Sequence, residues 1–393
     1  MVRGPLDGNL VVEFGNLIAA PYAAMLLADL GARVIKVEPT TGDLGRQFGP
    51  YLKGESAFFM SVNRGKESVS LDPKDWVSKR VLDNLVRKAD VVVHNLRHGA
   101  MERLGLSEER CHELNPSLIY AVVSAFGAAG PYARRPGIDV VFQGESGMIS
   151  ITGDPRDEPH KTATTIGDYV AGTNMALAIS AVLAEQPRRG RRLDVSLRDG
   201  LMAVQSGWNA LAFANHRQPE RVGTASPYLA PNQVFRASDG YFTLAVVSDR
   251  HFALLCDALE RPDLAEAYPD NAHRMADVDS LTRKLARQFK GESVSHWLEV
   301  LETAGIPSGR VLTIPEAFDD PQARHHGMLV EFEHPVAGHV RTTGSPIRID
   351  ADQARADDLP PMLGEHTRSV LAEMGVDGAS IEKMITEGRA VST

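Results

Sequence analysis

The 393-residue sequence is poor in cysteine and in uninterrupted apolar runs, and each shortage removes a class of protein. Two cysteines, Cys111 and Cys256, supply neither a disulfide framework nor the closely spaced thiols of a structural zinc site. They fit a reducing compartment, so a cytoplasmic location is the expectation. The opening Met1-Val2-Arg3-Gly4-Pro5 leads into an apolar run, Leu10 to Phe14, too short for the core of a secretory leader. No run approaches the ~20 apolar residues of a membrane span, so no membrane partner is expected. Basic residues are in deficit: 42 Lys and Arg against 51 Asp and Glu leave a net charge of −9. That balance disfavours nucleic acid, while leaving room for a local basic rim around a small polyanion. Nucleotide and hydrolase signatures are missing too. The turn after the first apolar run reads Gly15-Asn16-Leu17-Ile18-Ala19-Ala20-Pro21 instead of G-x-G-x-x-G. It lacks the glycine that lets a dinucleotide pyrophosphate come close, so no NAD is expected. Neither a G-x-x-x-x-G-K-[ST] loop nor a G-x-S-x-G elbow is present.

What is present reads as an α/β protein. Leu10 to Phe14 predicts a short buried strand, Pro21 to Leu30 a helix ending at Gly31, and Arg33 to Val37 a second strand. Strand, helix and strand over so few residues make a βαβ unit and hence a parallel sheet. The alternation continues through strand Ser68 to Leu71, helix Val77 to Lys88, strand Val91 to His94, helix Leu106 to Leu114 and strand Ile119 to Ser124. This predicts a doubly wound, Rossmann-like large domain over 1–215. Within it, Ile138 to Glu185 is helical around a turn-rich Thr152 to Thr164. Strand Leu193 to Leu197 and a helix from Asp199 to about Asn215 follow. After a proline-containing connection, a smaller α/β domain is expected over 225–325. The C-terminal stretch 330–393 then returns to the large domain through two strands and a helix, Thr367 to Met374.

Several residues invite chemistry. Glu38 ends the second strand, where an acid could hold ribose hydroxyls. His94 and His98 stand four apart, but one is at a strand end and no third ligand is evident, so no metal is expected. Asp168 follows Gly167 and precedes the small-residue helix Tyr169 to Leu183. It reads as an N-cap, since Asp accepts free backbone N–H groups there. The same place suits a carboxylate nucleophile: the helix end would keep it ionised and oriented, and Gly167, Ala171, Gly172 and Thr173 would leave it room. Arg33, Lys36, Arg46, Arg64, Lys66, Lys74, Arg97 and Arg103 lie in the first 105 residues, several just after strands. Such cations suit either a solvated surface or a phosphate-binding rim at the carboxyl edge of the sheet.

Other stretches resemble a known family. Pro5-Leu6-Asp7-Gly8, then Gly31 through Pro39 with Gly42-Asp43, then Asn63 through Asp72, and Ala89 through Gly105 are similar to the family III CoA-transferases. So are Phe126-Gly127, Gly130-Pro131-Tyr132, Arg135 through Asp139, Gly305-Ile306-Pro307 and Leu363 through Thr367. Taken in order they span essentially the whole chain. The family also includes α-methylacyl-CoA racemases. The resemblance implies an interlocked, ring-like homodimer acting on acyl-CoA and carboxylic acid substrates, with coenzyme A carried as substrate and no metal or NAD. It implies Asp168 as nucleophile and CoA contacts at Leu71, Lys74, Asn95, Leu96 and Arg103, with Arg97 beside them. Ile18, Ile138 and Asp139 would adjoin the acyl group. Ile138 stands where racemases carry histidine, which argues for a transferase, because racemisation needs an acid and a base about the α-carbon. Ile18 replaces a glutamine found in some transferases, Pro39 an arginine, and His98 a proline. A racemase and a non-catalytic CoA-binding protein are the alternatives.

Overall fold

A computed structural model describes residues 4–350, 352–354 and 358–393. Met1 to Arg3, part of the opening read above for a leader, lie outside the described residues. Two compact units divide the chain: residues 1–148, 162–209 and 320–393 form one, and 149–161 with 210–319 the other. The division gives 149–161 and 210–224 to the second unit and closes it at 319, a different cut from the expected 225–325.

In the first unit Leu10–Phe14 (β1), Ala19–Asp29 (α1) and Arg33–Glu38 (β2) form the βαβ opening. Gly31 takes φ +101°, the left-handed turn that lets the chain reverse after α1. The pattern continues with Lys66–Leu71 (β3), Trp76–Lys88 (α2), Val91–His94 (β4), Ala100–Arg103 (α3), Glu108–Leu114 (α4) and Ile119–Ser124 (β5). Asp139–Glu145 (α5), Ile166–Leu183 (α6) and Arg191–Ser196 (β6) follow. The six strands are parallel in the order β3-β2-β1-β4-β5-β6, and a short strand, Ala390–Val391, adds antiparallel outside β3. This order reverses direction between β1 and β4, which opens a crevice at their carboxyl ends. Helices α1 and α6 run from that edge back along one face, burying Ala23, Leu27, Met175 and Ile179 against Val11, Val93 and Ala121. The close approach explains a glycine: a Cβ on Gly172 would come within 2.8 Å of the Ala19 carbonyl oxygen. Helix α6, at 18 residues, is long and apolar enough to cross a membrane by composition, against the expectation of no such run. In this structure it packs on α1 and on the helix Leu197–Val204 (α7).

Beyond α7 the single helix expected to reach Asn215 is two, α7 and Ser206–Asn215. The break falls at Gln205, whose side chain donates to the Leu201 carbonyl at 2.7 Å and the Ser146 carbonyl at 3.2 Å. At the C-terminus a second helix, Gly378–Thr386, accompanies Thr367–Glu373. The second unit holds a three-stranded antiparallel sheet of Asn232–Arg236, Tyr241–Ala245 and Ser308–Arg310. Phe235, Phe242, Phe289 and Trp297 pack edge-on or tilted in its core, and the Trp297 indole donates to the Phe289 carbonyl at 2.7 Å.

Alternation in β1, β2 and β3 turns Glu13, Lys36, Glu38, Lys66 and Ser68 to one buried face. Lys36 donates to Glu13 at 2.7 Å, to the Gly15 carbonyl at 2.9 Å and pairs with Asp43 at 2.8 Å. Lys66 pairs with the other Glu13 oxygen at 2.8 Å and donates to Asn63 and the Pro21 carbonyl. Glu38 accepts both Arg46 nitrogens, the Ser68 hydroxyl and the Asp43 amide. Lys36 and Lys66 are wholly or nearly wholly buried, so the two cations and their carboxylates depend on each other. Lys36→Met leaves Glu13 and Asp43 short of a partner, and should lower the unfolding free energy by about 3–5 kcal/mol in urea denaturation.

Candidate active site

The crevice between β1 and β4 is closed at its floor by two asparagines. Asn16 donates its backbone N–H to the Asn95 side-chain oxygen at 2.8 Å, and Asn95 returns a bond to the Asn16 carbonyl at 2.8 Å. Leu17 takes φ +63° and its N–H donates to Asp43 at 3.1 Å, so the buried ion network sets this loop. Gly15 serves that network and not a pyrophosphate: a Cβ there would come within 2.5 Å of Glu13.

The expected basic rim divides. Lys36, Arg46, Arg64 and Lys66 are spent inside the chain, Arg64 on a bidentate pair with Asp29, and Arg33 is paired with Glu67 and Glu373. Glu38, read as a ribose acceptor, is likewise committed to Arg46 and Ser68. Lys74 after β3, and Arg97 and Arg103 after β4, are exposed and have no ion-pair partner among the described residues. Of the remaining expected CoA contacts, Leu71 is buried at 2 % exposure in the core, Asn95 is tied to Asn16, and Leu96 is half-buried. His94 is a buried strand end whose ring packs edge-on to Tyr120, and burial pushes its pKa down to about 4. Among the described residues no group of three or more His, Cys, Asp or Glu side chains could hold a metal ion.

Asp168 is not the N-cap. Thr165 holds that position, the helix starts at Ile166, and Asp168 is the third residue of its first turn. The Gly167 amide in that first turn is taken from outside the helix by Asp139, at 2.8 Å. The Asp168 carboxylate accepts no hydrogen bond among the described residues. It is half-buried, and burial together with the Asp139 charge pushes its pKa up to about 7. The expectation that the helix end keeps it firmly ionised is thus reversed, because no N–H group reaches it. A Cβ on Gly167 would meet Asp139 at 2.9 Å and Leu201 at 3.2 Å, so glycine is required where the helix passes Asp139. Tyr169 stacks edge-on with Tyr22 of α1, centroids 4.9 Å apart. Ile18 is buried at the start of α1, and Ile138 stands 65 % exposed before α5. Asp139, expected beside the acyl group, is 6 % exposed and accepts a second bond from Gln143 at 2.6 Å, which leaves neither oxygen free. Gln143 went unnoticed in the sequence, although it stands four residues after Asp139 on one helix face.

A sheet with a switch-point crevice, free cations at its rim and a bare carboxyl at a helix start suits an enzyme that carries acyl groups on a phosphate-rich handle. Comparison with known proteins gives the class: residues 6–367 match the model of "CoA-transferase family III", and the chain belongs to that family. It is 36 % identical to the acetyl-CoA:oxalate CoA-transferase of Acetobacter aceti, over 96 % of this chain and 97 % of that protein. To the human succinyl-CoA:glutarate CoA-transferase it is 32 % identical, over 98 % and 89 %. The crystal structure of a CAIB/BAIF family protein from Brucella suis superposes with a TM-score of 0.84 at 34 % identity, covering 95 % of this chain and all of that one.

Asp168 binds its proton more tightly in the folded chain than at its ordinary value of 3.8, so it costs stability as pH rises through about 7. Asp168→Asn should therefore raise the melting temperature at pH 8, with little effect at pH 4, in thermal unfolding followed by circular dichroism.

Proposed function

We propose that the protein moves CoA from an acyl-CoA donor to a carboxylic acid through covalent intermediates on Asp168. One observation carries the reading: a half-buried carboxyl without hydrogen-bond partners, raised in basicity, at the start of a helix on the carboxyl edge of the sheet. The carboxylate oxygen attacks the donor thioester carbonyl. The C–S bond breaks, leaving a mixed anhydride and CoA thiolate. The thiolate attacks the aspartyl carbonyl, releases the donor acid and forms an aspartyl-CoA thioester. The acceptor carboxylate attacks that thioester, giving a second anhydride and thiolate. Thiolate attack on the acceptor carbonyl then forms the new acyl-CoA and frees Asp168. Backbone N–H groups near Asp168 would serve the tetrahedral oxyanions.

Lys74, Arg97 and Arg103 are assigned to the CoA phosphates, with Leu71, Asn95 and Leu96 shaping the crevice. Leu71 and Asn95 would contribute backbone atoms, since their side chains are already engaged. Ile18 and Ile138 are assigned to the acyl side. Racemisation would need an acid–base pair about the α-carbon, and residue 138 supplies none. The relatives are named for oxalate and glutarate, so dicarboxylic acids are the first acceptors to test. A homodimer belongs to the proposal, supported by exposed Leu177 on α6 and Met202 and Val204 on α7. So does a cytoplasmic location, supported by two buried free cysteines.

Wild-type protein quenched after incubation with acetyl-CoA or succinyl-CoA should gain a CoA mass in intact-protein mass spectrometry, and Asp168→Ala should not. No adduct with any donor, together with deuterium uptake at Cα, would overturn the proposal in favour of a racemase. Replacing Lys74, Arg97 and Arg103 together by Ala should raise KM for the acyl-CoA about tenfold or more, since each factor of ten corresponds to about 1.4 kcal/mol.

A further inference from the structure

We propose that Asp139 is a positioning residue for Asp168, anchoring the turn that presents the nucleophile and holding a fixed negative charge beside it, so that acylation of Asp168 relieves a repulsion present in the free enzyme. The inference rests on the transfer through Asp168 set out above.

The two carboxylates differ in what surrounds them. Asp139 is 6 % exposed and has a donor on each oxygen: the Gly167 N–H at 2.8 Å and the Gln143 side-chain nitrogen at 2.6 Å. Gln143 is itself fully buried, and its orientation is fixed from behind. Its carbonyl oxygen accepts the Thr162 N–H at 2.8 Å and the Thr162 hydroxyl at 3.2 Å. Each Asp139 oxygen thus accepts an N–H donor, which fixes the carboxyl in place. Asp168 has no such donors, so a proton entering the pair settles there, in keeping with its raised pKa. Tyr169 on the same helix packs edge-on against Tyr22 of α1, and burial, Tyr22 and the Asp168 charge raise its pKa. Acylation turns the Asp168 carboxylate into a neutral anhydride or thioester. The Asp139 charge then has no anion to oppose, and the covalent states gain relative to the free enzyme. Asp139 acts through the Gly167 amide and through space, without needing to touch substrate.

The test uses the full-length protein with succinyl-CoA, following the CoA adduct by intact mass and kcat/KM against pH. Asp139→Asn keeps the size and removes the charge. It should move the acid limb of kcat/KM down by roughly one pH unit or more, the size of a like-charge effect. The fraction of enzyme carrying the adduct at fixed ratios of succinyl-CoA to succinate should fall several-fold. Gln143→Met removes one of the two donors that seat the Asp139 carboxyl. It should lower kcat about tenfold, as misplacement of a reacting group does, with KM for succinyl-CoA within twofold. If the wild type forms no adduct, the transfer reading itself fails. If the wild type forms it while Asp139→Asn keeps the same limb and adduct fraction, this inference alone is overturned. Should Asp139→Asn not fold, an unchanged kcat in Gln143→Met overturns it equally.

Discussion

The Lys36 ammonium, buried between Glu13, Asp43 and the Gly15 carbonyl, is the contact on which the rest of the first unit turns. Three parallel strands expose polar side chains to an interior that should be apolar, and only their mutual pairing makes that tolerable. The pairing reaches past the strands. Asp43 holds the Leu17 amide, Glu38 holds Arg46 and Ser68, and Lys66 holds the Pro21 carbonyl at the head of α1. The loop after β1 therefore has its shape imposed from below, and α1 and the crevice floor inherit it. Because α6 packs on α1 closely enough to require Gly172, the placement of Asp168 descends from the same ion cluster.

At the site itself, two aspartates of the same chemistry are driven apart by their surroundings. Asp139 has an N–H donor on each oxygen; Asp168 has none among the described residues, and burial together with the Asp139 charge pushes its pKa up to about 7. A nucleophile needs basicity, and an oxygen already occupied by N–H groups would lose it. Lys74, Arg97 and Arg103, which follow β3 and β4, are exposed and have no ion-pair partner among the described residues.

The parallel core was legible because its strands are short apolar runs between glycines and helices with clear periodicity, and β1, β2, β4 and β5 fall where the pattern puts them. Family likeness pointed to Asp168 more firmly than physics did, since an Asp near a helix start is commonly a cap. Side-chain destinations were not legible. Five of the eight early cations read as a rim are structural, because a lysine inside a strand looks the same whether it meets water or a buried glutamate. Gln143 carried only its spacing from Asp139 as a signal, for its orientation comes from Thr162, nineteen residues on across a loop. The break at Gln205 and the strand Ala390–Val391 are tertiary effects too short to leave a period in the sequence.

That two-residue strand has a consequence for how the sheet meets its neighbours. Ala390 and Val391 pair with Leu71 and Ser70, the Asp72 amide donates to Arg389, and the Ser70 amide donates to Thr367. Together they occupy the outward backbone groups of β3, which would otherwise stand as an open template for another chain. The last residues thus act as a selvedge for the sheet, whose lateral edge is sewn shut by the chain's own tail.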